Sequence, residues 1–145
     1  MRLTAFTDYG LRMLMRMASA PERAFSTAEL AQEFGLSRNH LIKITQRLAR
    51  GGIVETRRGG GGGARLARPS REIRLGDAVR LLEEGQALVE CFAPGGGVCT
   101  IGGCCPLKAR LRSAETAFLA DLDRATLADI ALPERERQPL LSQAG

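Results

Sequence analysis

The sequence predicts a mainly α fold: a winged helix-turn-helix with a two-stranded wing, then a cysteine loop, then a long C-terminal helix. Three observations carry this expectation. Two short helical patterns are joined by Gly35-Leu36, and the second starts at a serine. Two short strand candidates follow, separated by Arg57-Arg58-Gly59-Gly60-Gly61-Gly62-Gly63. All four cysteines, Cys91, Cys99, Cys104 and Cys105, fall in one glycine-rich stretch beyond that unit.

Residues 5–20 read as a first helix, because Leu11, Leu14, Met15 and Ala18 recur at helical spacing and Pro21 stops the run. Ser26-Thr27-Ala28-Glu29 has the capping-box pattern and opens a short helix carrying Leu30, Ala31 and Phe34. Ser37 suits the N-cap of the next helix, whose inner face is Leu41, Ile44, Thr45 and Leu48; Gly51-Gly52 end it. Helix, glycine turn and capped helix make a helix-turn-helix. Residues 53–56 and 64–67 are the strands of a wing around the basic glycine loop. Residues 74–84 read as a fourth helix, ended by Gly85.

Pro106 suits the first turn of a last, long helix. Along it Leu107, Leu111, Ala114, Phe118 and Leu122 form one apolar stripe. No other element remains to cover that stripe, so pairing with a second copy is expected rather than packing back on its own domain. Residues 126–130 read as one more helical turn, and the charged, proline-punctuated end after Pro133 is expected to fray. The expected organisation is a winged helix-turn-helix DNA-binding domain over 1–80 and a helix with a cluster-binding cysteine loop over 81–105. A dimerisation helix over 106–123 and a C-terminal segment over 124–145 with a disordered end complete it.

A chain of 145 residues with 44% hydrophobic content is sized for one domain with a real core. No apolar run is long enough to span a bilayer, and the N-terminus lacks the apolar core and cleavage site of a signal peptide. A cytoplasmic protein with no membrane partner is therefore expected. In that reducing setting, clustered cysteines bind metal or do redox work more often than they form disulfides. The net charge of +5 divides into +8 over residues 1–80 and −3 over 81–145. A basic first half points to a polyanion as its partner, against the plainer reading of a solubilising surface.

The charge pattern has a place on the predicted elements. Asn39, Lys43, Gln46 and Arg50 form one stripe opposite Leu41, Ile44 and Leu48, flanked by Arg38, His40 and Arg47. Arg and Lys neutralise phosphates or reach guanine edges, and Asn and Gln suit adenine. The candidate DNA-binding residues are Arg38, Asn39, His40, Lys43 and Arg47 on the helix, with Arg57, Arg58, Gly59 and Arg65 on the wing. The expected ligand is double-stranded DNA with a two-fold-symmetric, palindromic site. The glycine run is not a phosphate-binding loop, because the Gly-Lys-Ser/Thr ending is missing. His40, the only histidine, reads as a DNA contact or a packed side chain rather than a metal ligand. No Ser/His/Asp set or carboxylate pair converges, so the chain is not expected to be an enzyme.

Seven residues separate Cys91 from Cys99, and five separate Cys99 from Cys105. The close Cys-x2–4-Cys knuckles of zinc sites are missing. Thiolates at these intervals in a glycine-rich loop suit an iron–sulfur cluster or another soft metal; a disulfide is the rival reading. Three thiolates leave one iron short of a protein ligand, and no histidine lies nearby. Asp8 precedes Arg12 by four residues, which by itself reads as a helical salt pair.

From Met1 to about Ile130 the chain resembles the Rrf-type (BadM-like) winged-helix iron–sulfur regulators, most of all their nitric-oxide-sensing, NsrR-like branch. The matching pieces are Met1-Arg2-Leu3-Thr4 with Phe6-Thr7-Asp8, then Leu36-Ser37-Arg38-Asn39-His40-Leu41 with Lys43, then Arg58-Gly59, Gly62-Gly63 and Arg65-Leu66. They continue with Ile73 through Arg80, Leu88-Val89-Glu90-Cys91-Phe92, Cys99 with Ile101, Cys105 with Leu107-Lys108, and Thr126-Leu127-Ala128-Asp129-Ile130. The resemblance implies a homodimer with one cluster per subunit, 4Fe-4S in preference to 2Fe-2S. It implies Cys91, Cys99 and Cys105 as ligands, with Asp8 of the partner subunit as the fourth. Arg12 is then the switch that takes back Asp8 when the cluster is lost. The implied function is a DNA-binding repressor whose cluster is nitrosylated by nitric oxide, releasing DNA. Two features depart from the pattern: Pro94 and three glycines lengthen the first gap between cysteines, and Cys104 is an extra thiol. The nearest alternative is an IscR-like regulator of iron–sulfur supply or redox state, which uses a histidine soon after the third cysteine; Lys108 and its neighbours offer none. A non-regulatory iron–sulfur redox protein is the other, and it would need neither recognition helix nor wing.

Overall fold

The computed structural model describes residues 2–60 and 62–133. Among them are five α-helices: α1 (Ala5–Ser19), α2 (Thr27–Phe34), α3 (Arg38–Arg50), α4 (Leu75–Leu82) and α5 (Pro106–Leu122). Strands β1 (Val54–Arg57) and β2 (Gly63–Leu66) pair antiparallel, and 3-10 turns occupy Ser70–Glu72 and Glu90–Phe92. This is a mainly helical winged-helix fold. The expected fraying of residues 134–145 lies outside the described residues.

Local chemistry sets the helix ends. The Thr4 hydroxyl accepts from the Thr7 amide at 3.2 Å and starts α1. The Ser26 hydroxyl accepts from the Glu29 amide at 3.0 Å and starts α2. The return half of that capping box is not made, because the Glu29 carboxylate pairs with Arg23. Gly35, at φ +65°, turns the chain left-handed after α2 and leads it into α3. Ser37 holds the N-cap position of α3 without a side-chain hydrogen bond.

The core joins Met13, Leu14 and Met17 of α1 to Leu30 of α2, Leu41, Ile44 and Leu48 of α3, and Ala78 and Leu82 of α4. Phe25, Ile53, Val54, Ala64, Leu66, Ile73 and Leu127 complete it. The face of α1 departs from the expected stripe. Leu11 and Met15 are only half-buried, whereas Met13 and Met17 are fully buried. The physical reason is that α1 touches α3, α4 and β2, so it is covered on several sides and one stripe understates its buried surface. Gly10 permits this: a Cβ there would stand 2.8 Å from Leu82 Cδ1 and 3.3 Å from Ile44 Cγ2.

Residues 126–130 form a turn rather than the expected extra helical turn. Thr126 makes an isolated antiparallel bridge with Arg74, and the Leu127 amide donates to the Ile73 carbonyl at 2.9 Å. Leu127 is thereby driven fully into the core. Asp123, at the end of α5, takes a two-pronged contact from Arg80 of α4 at 2.6 and 2.7 Å, which holds its carboxyl below the usual range. Helix α5 itself has no buried residue: Leu107 and Ala114 are exposed, and Leu111, Phe118 and Leu122 are half-buried.

Two tethers orient the functional elements. At the base of the wing, Phe25 and Ala64 exchange backbone hydrogen bonds at 2.8 Å each. The guanidinium groups of Arg16 and Arg23 both lie over the buried Phe25 ring, at 4.7 and 4.5 Å. Gly63, at φ +144°, leaves no room for a side chain, since a Cβ would stand 2.5 Å from the Phe25 carbonyl oxygen. The second tether joins α1 to the end of α4. The Glu83 carboxylate accepts from the amide and the hydroxyl of Thr4, both at 2.8 Å. Burial acts to raise the Glu83 carboxyl, but hydrogen bonding from Thr7 and Thr4 together outweighs it and leaves the group below its ordinary value.

Gly63→Ala is expected to destabilise the chain by about 2 kcal/mol, because the obstructing atom is backbone and cannot step aside; urea denaturation checks it. The lowered Glu83 carboxyl gives stability that is complete above its ordinary value of 4.5 and is lost as pH falls through the lower folded value. Glu83→Gln should therefore flatten this part of the acid limb in a series of melts across that range.

Candidate DNA interface and cysteine loop

Helix α3 turns Leu41, Ile44, Thr45 and Leu48 inward. Its opposite face is open: Arg38, Asn39, His40, Lys43, Gln46 and Arg50 are all exposed. Among the described residues, Arg38, Lys43 and Arg50 make no ion pair, so their charge is available to an outside polyanion.

Arg47 is placed differently from its neighbours. Its guanidinium donates to the Leu81 carbonyl at 3.3 Å and to Glu84 at 3.4 Å, and lies over the Phe6 ring at 5.6 Å. It ties α3 to the end of α4 and to α1. Periodicity set Arg47 beside the exposed stripe; the carbonyls at the C-terminal end of α4, which draw a cation, were not readable from α3 alone.

The wing presents Arg57, Arg58 and Gly59 to solvent. The cross-strand neighbour of Arg65 is Glu55, and the two form an ion pair at 2.6 Å. Arg65 is thus held along the sheet, while Arg57 and Arg58 stand unpaired among the described residues. Gly59, at φ +98°, and the Gly62 amide bond to the Gly59 carbonyl at 2.9 Å shape the tip. Gly62 must be glycine, as a Cβ would come within 2.5 Å of the Arg57 carbonyl oxygen.

Beside the recognition helix, the first turns of α1 carry the remaining predicted residues. Arg12 grips Asp8 through Nη2 at 2.7 Å and Nε at 3.3 Å. About half of each of these side chains is exposed. The Arg12 guanidinium also lies 5.8 Å from the centre of the Tyr9 ring, which in turn stands 6.2 Å from the His40 ring at a 44° tilt. Tyr9 went unremarked in the sequence; its one signal was its place three residues after Phe6, on the same helical face.

The cysteine loop lies between α4 and α5. Cys91 sits in the 3-10 turn Glu90–Phe92, and the Phe92 ring is covered by the Arg112 guanidinium of α5 at 4.2 Å. Gly95 and Gly96, at φ +91° and +54°, reverse the chain. Gly97 then returns to Glu90: a Cβ on it would lie 2.7 Å from Glu90 Cγ. Cys99 follows two residues on, and Cys105 occupies the N-cap position of α5. All four thiols are free; Cys99 and Cys104 are exposed, while Cys91 and Cys105 are half-buried.

Among the described residues, no three His, Cys, Asp or Glu side chains stand close enough to hold one metal ion. Cys91, Cys99 and Cys105 therefore share a loop but do not meet at one point in the single chain. The donor set nevertheless fits an iron–sulfur cluster: soft thiols, none in a disulfide, on a surface loop that contributes nothing to the core. Val98, Ile101 and Leu107 stand exposed beside the cysteines.

No helix of the described residues is long and apolar enough to cross a membrane. The family profile described as Rrf2, an iron-dependent transcriptional regulator, matches residues 3–132. Among solved structures, the chain is similar to T. potens IscR, with 26% identity, a TM-score of 0.70, and 90% of this chain and 85% of that chain covered. It is similar to CymR (YrzC), the global cysteine regulator of B. subtilis, with 27% identity, a TM-score of 0.70 and coverage of 90% and 96%. It is likewise similar to Staphylococcus aureus CymR, with 26% identity, a TM-score of 0.67 and coverage of 90% and 98%. Regulators of this kind bind DNA, are typically dimeric, and are not enzymes. With nearly its whole length matched, the chain belongs to the Rrf2 family of transcriptional regulators.

Proposed function

We propose that this regulator is a homodimeric repressor whose hold on a palindromic operator depends on an iron–sulfur cluster, 4Fe-4S in preference to 2Fe-2S, with nitric oxide as the signal. The observation that carries the reading is the set of free thiols on one loop between α4 and α5 of a winged-helix chain. Cys91, Cys99 and Cys105 would hold the cluster, and Asp8 of the partner subunit would complete it. The chemistry supplied by such a group is iron that reacts with nitric oxide. Asp8 would be the weakest donor in that set, a hard carboxylate oxygen among soft thiolates. Off the cluster, Asp8 would have Arg12 as its partner one turn along α1, the pairing present here at 2.7 Å.

DNA is held on this reading by the open face of α3 and the wing tip. Arg38, Asn39, His40 and Lys43 enter the major groove, while Arg57, Arg58 and the backbone at Gly59 follow the minor groove. Arg65 aligns the wing through Glu55, and Arg47 holds the angle of α3. A regulator of iron–sulfur supply is the second reading, favoured by the likeness to IscR. The response to nitric oxide separates the two.

Cys99→Ala is expected to abolish iron binding and the protected operator footprint together, measured by anaerobic native mass spectrometry and footprinting. A colourless, iron-free parent that still protects the operator would refute the reading. Lys43→Ala and Arg58→Ala should each weaken binding and lower the salt slope of log affinity by about 1, through one lost phosphate contact. Arg65→Ala should change that slope much less, since Glu55 already balances its charge.

A further inference from the structure

Between the Asp8–Arg12 pair and the DNA-reading helix stands a single side chain. Arg12 divides its guanidinium between the Asp8 carboxylate, at 2.7 and 3.3 Å, and the face of Tyr9, at 5.8 Å. Tyr9 in turn meets His40, the third residue of α3, at 6.2 Å. His40 belongs to the N-terminal turn of α3, the part of a recognition helix that sits deepest in a groove.

The contact does not stand alone. Phe6, one turn before Tyr9 on α1, is covered by Arg47, two turns after His40 on α3. Helix α1 thus touches α3 through an aromatic ring near each end: Tyr9 at the N-terminal end, Phe6 at the C-terminal end. The two contacts differ in what else holds them. Arg47 is also bonded to the Leu81 carbonyl and to Glu84, so the Phe6 end is anchored to α4. The Tyr9 end is held by Arg12, by His40 and by the packing of the half-buried ring against the core. Leu41, next to His40, is fully buried, so a change at Arg12 acts on the exposed side of the first turn of α3 and not on the seat of the helix in the core.

We infer that Tyr9 is the positioning residue that carries the state of the Asp8–Arg12 pair to His40 and so sets how the first turn of the recognition helix presents that side chain. The inference rests on the proposed role of Asp8 for its signal. With Asp8 on Arg12, the guanidinium is held over Tyr9 and the ring is braced against His40. With Asp8 withdrawn, Arg12 loses the charge that fixes it, the ring loses its brace, and the His40 side chain at the entering end of α3 is free to shift. Contacts of this kind, at half-exposed sites, each shift an equilibrium by roughly two- to tenfold.

The chain provides its own probes. Tyr9 is the only tyrosine, there is no tryptophan, and His40 is the only histidine. Tyrosine emission and the imidazole resonances therefore each report one residue. In the full chain, reduced and free of iron, Asp8→Asn is expected to change the Tyr9 emission lifetime and to shift the His40 resonances. Adding Tyr9→Leu should erase the His40 shift, whereas Tyr9→Phe should preserve it. In anaerobic protein, the ratio of operator affinities with and without iron should fall about three- to tenfold in Tyr9→Leu and stay within about twofold in Tyr9→Phe. Melting curves on both variants confirm that the fold is kept. The relay is overturned if the His40 resonances ignore Asp8→Asn, or if Tyr9→Leu leaves intact an affinity ratio that the parent displays. A parent with equal affinity in both iron states would sink the proposed sensing instead, and the iron-free resonances would still decide for or against Tyr9.

Discussion

Most of this architecture depends on how closely α1 approaches α4 and α3, and that approach depends on Gly10. With no side chain there, Leu82 and Ile44 fill the space against the α1 backbone, and three helices share one wall of the core. A methyl group at this position would meet two side chains that are already packed tightly. Because α1 is central, its few polar neighbours acquire unusual reach. Thr4 meets Glu83 at the end of α4, Phe6 and Tyr9 meet α3, and Asp8 and Arg12 stand on the open side. The helix that holds the core together is also the one that touches both α3 and the end of α4.

Much of the fold was legible in the sequence because it follows from local rules. Capping residues, glycine turns and period-3.6 spacing located α2, α3, α5 and the wing within a residue or two. The parts that escaped are those decided by tertiary contact. Met13 and Met17 are buried because three elements surround α1, which no single stripe encodes. Leu127 is core because the chain after α5 pairs with Arg74, an isolated bridge with no periodic signature. The open face of α3 was readable for the same reason that its buried face was. The diversion of Arg47 toward Leu81 and Glu84 was not, because it needs the end of α4 in place.

The cysteine loop divides along the same line. Its thiol content and glycine spacing are chemical facts of the sequence, and the free thiols of the structure agree with soft-metal chemistry. Their convergence is a different matter, since three side chains on one loop do not meet without something to gather them. Phe92 under Arg112 and Gly97 against Glu90 fix the two flanks of the first gap. The added length, Pro94 with its glycines, is taken up by left-handed turns at Gly95 and Gly96.

Helix α5 runs for 17 residues without burying one of them. Within the chain it is held by α4, through the Arg80–Asp123 contact, and by Arg112 over Phe92, and its exposed apolar side chains are left for another surface to cover. Where that surface belongs to a second chain, shape and assembly become one equilibrium, and dilution acts on this molecule much as a mild denaturant would. The amount of regulator in a cell then governs how much of it has that face covered, before any chemical signal arrives.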